Sequence, residues 1–252
     1  MDLFTLTVFL LVTAVGSYVQ AVTGFAMGMI IIAVVVGGGL LPVPLITAVV
    51  SLLALVNVVL ALRGHGHHLQ RRLFGWMAAG MLPAIAVGVW LLGRLDAGAT
   101  WLLELLLGVF IVVGSLSMLL RPRPRESVSA PWAAWTAGFS GGLVGGLFAA
   151  SGPVMGWFNY RQPLTVAEIR TTLLASFALT TSFRTLAVGV SGGLTREVWT
   201  LFAVGLPLVL LGTWAGRRFP PAVSETALKR LAFALLLLMG GWSIARALAA
   251  SP

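Results

Sequence analysis

Apolar residues run almost unbroken through stretches of about twenty, separated by short polar turns. Six such stretches, near 42–62, 73–93, 99–120, 169–190, 196–218 and 226–248, match the ~20 residues that one helix needs to cross hydrocarbon. Two stretches do not fit. Residues 3–39 are too long for one straight span and too short for two, and polar or small residues (Gln20, Thr23, Gly24, Gly28) sit in the middle. Residues 132–158 are interrupted by Ser151-Gly152-Pro153. Proline removes a backbone N–H and crowds the preceding turn. In lipid, freed backbone groups are tolerated only where protein or a water-filled cavity satisfies them. Both stretches therefore predict a helix that dips in, breaks and returns, lining a polar site. Gly138, Gly142 and Gly146 recur every four residues, and Gly141 and Gly145 widen that face. Such a face lets another helix backbone come close. On the plainer alternative, the glycines of both stretches serve packing alone.

The pattern repeats. Pro83 and Gly88 are matched by Pro207 and Gly212, and Gly114-Ser115 by Gly241-Trp242-Ser243. This predicts a duplication, residues 1–120 and 132–252, joined by the basic linker RPRPRESVSAP at 121–131. One interrupted segment in each half, at corresponding places, points to the binding site of a secondary transporter. Charge tests the topology. If every segment crosses fully, the basic residues split almost evenly between the two sides. If the two broken segments return to the side they entered, Arg63, Arg71, Arg72, Arg121, Arg123, Arg125, Arg161, Arg170, Arg217, Arg218, Lys229 and Arg230 share one side. Arg94, Arg196 and Arg246 hold the other, with Arg184 inside the membrane. The positive-inside rule favours the second arrangement, with both termini outside. The expected fold is an all-α polytopic membrane protein of two inverted repeats, each a broken, re-entrant helix hairpin followed by three transmembrane helices.

Composition agrees. The chain is 59% hydrophobic and 9% charged, where a soluble domain carries about 25% charged residues. The net charge of +9 sits mostly in short loops, which marks orientation rather than a nucleic-acid face. There is no cysteine, hence no disulfide or thiolate metal site. The N-terminus lacks a basic leader region, so residues 3–19 read as mature structure. The HGHH run at 65–68 reads as a solvated loop, not a metal site. No catalytic motif stands up, so neither an enzyme nor a cofactor is expected.

Arg184 is the sharpest candidate residue, the one charge in LLASFALTTSFRTLAVGV at 173–190. Thr172, Ser176 and Thr180 precede it at steps of four, and Thr181 and Thr185 thicken this polar stripe. It reads either as a cationic anchor for an oxyanion or as a side chain snorkelling to the outer interface. Glu104, the acid well inside a span, reads as an arginine's partner or as a proton carrier. Asn57, with Thr47 and Ser51 before it, suits interhelical hydrogen bonding or solute contact.

Three stretches, QAVTGFAMGMI at 20–30, GGLVGGLFAASGPVMGWFNYR at 141–161 and EIRTTLLASF at 168–177, resemble the sulfite exporter TauE/SafE family of membrane permeases. The resemblance covers essentially the whole chain. It implies a bacterial inner-membrane exporter of sulfite or organosulfonates, with Gln20, Thr23, Gly24, Ser151, Gly152 and Arg170 at the site. Residue chemistry adds Asn57, Ser176, Thr180 and Arg184. The expected partners are a small anion and the bilayer, with no nucleic acid, and a homodimer is left open. A permease for another small anion or metabolite, or an intramembrane enzyme using Ser151, is the alternative.

Overall fold

The computed structural model describes residues 2–23, 26–62, 68–119, 124–219 and 225–250. Those residues form ten helices and no strand. They are α1 Leu3–Thr23, α2 Met27–Val35, α3 Val43–Leu62, α4 Arg71–Gly98 and α5 Thr100–Leu119. The second half supplies α6 Pro131–Phe148, α7 Gly152–Tyr160, α8 Val166–Val190, α9 Arg196–Arg218 and α10 Glu225–Ala249. Five of these hold stretches long and apolar enough to cross a membrane: Leu3–Val22, Arg71–Gly98, Thr100–Ser117, Val166–Val190 and Arg196–Gly216. The chain is a multi-pass helical membrane protein.

The ends of the helices follow from local chemistry. Thr165 and Glu168 form a reciprocal capping box at the start of α8, satisfying two amides that a helix leaves without partners. Thr195 caps α9 through the amide of Val198. Pro131 opens α6, where its missing N–H costs nothing. Replacing Thr165 by alanine is expected to lower stability by about 1 kcal/mol, read as a lower melting midpoint of the purified protein.

Both interrupted stretches break. α1 stops before residue 24, and α2 folds back so that the α-carbon and carbonyl of Met27 lie against Gly16. α6 stops at Phe148, and α7 folds back to set Met155 against Gly141. The first limb of the first break is longer than a dip. Leu3–Val22 has the length of a span, and only the nine-residue return limb is short. α7 is also nine residues long.

Packing crosses between the halves: α4 lies along α6, α1 along α9, α5 along α10 and α3 along α8. Glycine sets the closest of these contacts. A Cβ on Gly142 would stand 2.6 Å from the carbonyl oxygen of Met81, and one on Gly146 would stand 2.5 Å from that of Ile85. Gly212 meets α1 in the same way, 2.7 Å from the carbonyl of Ala14. Gly141 and Gly145 do not widen the α4 seam. They make a second one, against Met155 of α7 and Thr180 of α8. The difference is angular, because neighbouring residues on a helix lie about 100° apart and face different partners.

Glu104 of α5 pairs with Arg246 of α10 at 2.7 Å, and the same guanidinium donates to the carbonyl of Val36 after α2. The large exposed side chains Val190, Leu238, Trp132 and Trp90 lie on outer faces, as lipid requires. Arg63, His65, His67, Arg121 and Arg123 lie outside the described residues.

Candidate functional site

The two breaks meet. A Cβ on Gly28, in the first turn of α2, would stand 3.4 Å from the carbonyl oxygen of Ala149 at the end of α6. Both turnings use backbone that side-chain-bearing residues rarely adopt, with φ 126° at Ala26 and φ 53° at Ala149. Such conformations cost about 1–3 kcal/mol each and persist only where the surroundings enforce them. Between the breaks lies a cavity lined by Gln20, Ala26, Gly28 and Met29 on one side and Ala149, Ala150, Ser151, Gly152 and Pro153 on the other. Ala54 and Val58 of α3 and Phe177, Thr180 and Thr181 of α8 close it. About 60 Å³ of it admits the centres of water-sized groups. One water needs about 10–15 Å³ on the same measure, so the cavity has room for a solute of a few heavy atoms.

The start of each return helix faces this space. A helix N-terminus presents unpaired amides and a partial positive charge. Neither α2 nor α7 has a side-chain cap at its first residue. The two ends differ, however. Gln20 reaches over with Oε1 and accepts from the amide of Met27 at 3.1 Å, so the α2 end is partly satisfied from within. At α7 the amide of Met155 is taken by the Ser151 carbonyl and Pro153 has none. The Gly152 amide at the cavity wall remains without an intrahelical acceptor. Ser151 has helical backbone angles, φ −75° and ψ −8°, not the extended geometry of a capping residue. Its hydroxyl is therefore not drawn onto the α7 amides.

The structure brings Gln20, Ser151, Gly152 and Thr180 together at the cavity. Thr180 donates its hydroxyl to the Ser176 carbonyl at 2.9 Å, so that proton is not free for a solute in this arrangement. Ser176 is buried behind it and donates to Thr172. Asn57 lies on α3 and donates to the Thr213 hydroxyl of α9 at 3.0 Å, the interhelical alternative. Arg170 is exposed on α8, ten residues or about 15 Å of helix from Thr180. Thr23 ends α1, and Gly24 lies outside the described residues.

Arg184 neither snorkels nor lines the cavity. It is fully buried and donates from Nε to the Gly146 carbonyl (2.8 Å), from Nη1 to the Thr47 carbonyl (2.9 Å) and the Ser51 hydroxyl (2.7 Å), and from Nη2 to the Thr47 hydroxyl (2.8 Å). The short stretch Ala149-Ala150 and residues Ala26, Ala54 and Phe177 were not anticipated at the site. Alanine and phenylalanine carry no polar signature, so nothing in the linear pattern marks them.

The family model for sulfite exporter TauE/SafE matches residues 8–242. The chain is 41% identical over 225 residues to a protein of Cupriavidus necator named "Probable sulfite/organosulfonate exporter TauE", covering 89% of this chain and 88% of that one. It is 32% identical over 178 residues to "Probable inner membrane transporter protein TsaS" of Comamonas testosteroni, covering 69% and 71%. No solved structure matches the chain.

Proposed function

Because the chain belongs to the sulfite exporter TauE/SafE family of membrane transporters, we propose that it exports small sulfur-containing anions, sulfite or organosulfonates, across a bacterial inner membrane. One observation carries the reading. Two return helices aim their amide ends into a shared cavity of small volume, and amide ends favour anions. Gln20, Ser151, Gly152 and Thr180 contact the solute, with Thr23 and Gly24 completing the first break. Arg170 attracts anions at the entrance. Asn57, Ser176 and Arg184 act from behind the wall.

The reading includes an inverted duplication, residues 1–120 against 132–252. It is supported by the exchanged pairing, in which α1 lies on α9 while α6 lies on α4. It is also supported by the equal lengths of α2 and α7. The basic loops then face the cytoplasm and both termini face outward. Inside-negative potential pushes a monoanion outward by about 2.3 kcal/mol per 100 mV, so export needs no coupling ion. Pairing of two copies is compatible with the exposed apolar faces.

Proteoliposomes loaded with sulfite test this. Efflux is expected to rise when the sulfite side is made negative and to ignore an imposed proton gradient. Efflux that is indifferent to potential and requires a proton gradient overturns the uncoupled mechanism.

A further inference from the structure

The second break creates two helix ends of opposite charge at one place. α7 begins there with amides, and α6 finishes there with carbonyls. The partial charges of such ends are about equal and opposite. Left alone, they nearly cancel for a solute in the cavity. Arg184 alters the balance. Its Nε binds the Gly146 carbonyl in the last turn of α6 at 2.8 Å, so part of the negative end is neutralised. Its other bonds go to Thr47 and Ser51. Every acceptor is neutral, and among the described residues no carboxylate lies within ion-pairing distance of it. The side chain is 0% exposed, so water does not screen it. Thr180, one turn earlier on the same face of α8, lines the cavity.

We propose that Arg184 sets the sign of the transported solute's charge without touching the solute. It is a fixed cation behind the cavity wall that silences the carbonyl end of α6 and leaves the amide end of α7 dominant. A mere tie between α3, α6 and α8 needs hydrogen bonds and no net charge, and a bare buried cation is costly. On the duplication proposed above, the first half carries no charged residue at the matching place. At the corresponding turn of α3 the chain reads Val59-Leu60-Ala61, and its return helix is met by the neutral Gln20. The anion's charged end therefore belongs at α7. This inference rests on the anion-export reading above.

The test uses two probes of one shape that differ by one charge, methanesulfonate and dimethyl sulfone, with affinities measured on purified protein in nanodiscs. The wild type is expected to prefer methanesulfonate at least tenfold. Ser51→Asp places a carboxylate where Nη1 now donates, so the tie is kept and the charge is cancelled. Its preference is expected to fall to near one, with the melting midpoint retained. Arg184→Lys keeps the charge and loses the planar fork. Its preference is expected to survive while the midpoint drops. A folded Ser51→Asp protein with wild-type preference overturns the inference. If that variant does not fold, Arg184→Lys decides: a preference that collapses although the charge remains also overturns it. A wild type that binds both probes equally overturns the anion reading and this inference together, whereas failure of the inference alone leaves the wild-type preference intact.

Discussion

Replacing Ser151 by aspartate is expected to abolish anion efflux while leaving the protein folded. Ser151 stands at the start of α7 and at the cavity wall. A carboxylate there faces the amide end of the helix, an arrangement that stabilises by about 0.3–1 kcal/mol. It also stands where the anion must arrive. At about 5 Å separation and an effective dielectric of about 20, two like charges repel by about 3 kcal/mol, more than a hundredfold in affinity. Ser151→Asn adds similar bulk without charge and is expected to keep a measurable fraction of the activity. Sulfite efflux from proteoliposomes, read beside the melting midpoint of each variant, checks both. A Ser151→Asp protein that exports at the wild-type rate places the anion elsewhere.

Gly142→Leu is expected to prevent assembly of the helices. The backbones of α4 and α6 touch across Gly138, Gly142 and Gly146, and a Cβ at Gly142 would stand 2.6 Å from the Met81 carbonyl and 2.8 Å from its Cα. These are backbone atoms, so no rotamer change relieves the clash. The helices must separate, and the seam between the two halves opens. Overpacking costs about 1–3 kcal/mol in cores that can adjust, and a rigid backbone seam stands at or above the upper end. Gly93→Leu is the control, since nothing lies within 4 Å of a Cβ there. Size-exclusion profiles and yield in detergent are expected to collapse for the first variant and hold for the second. Normal yield of Gly142→Leu contradicts the packing account.

Much of this was legible in the linear pattern. A run of 37 residues that is neither one span nor two must break (Leu3 to Gly39), and the chain does break after residue 23. Pro153 marked the second break, and it falls at 149–151. The four-residue glycine spacing read correctly as a backbone-to-backbone contact. Glu104 found its arginine in Arg246. The polar stripe on α8 was also visible, but its direction was not. Thr180 faces the cavity and Arg184 faces α3 and α6, although they are one turn apart. A long side chain travels several ångströms from its own α-carbon, and only the neighbours decide where it ends.

The sequence by itself determined that this protein lives in lipid, that its chain is interrupted at two places, and which residues are small enough for helices to touch. Those properties follow from hydropathy, proline geometry and the absence of a Cβ, and each is local. Only the tertiary structure decided that the two breaks face each other across one cavity and that Gln20 occupies one helix end while the other stays open. It also decided that the buried guanidinium is held by carbonyls and hydroxyls from two other helices. Those facts depend on which distant segments pack together. No single stretch of sequence encodes such a choice, because it is made by fitting all ten described helices around the same space.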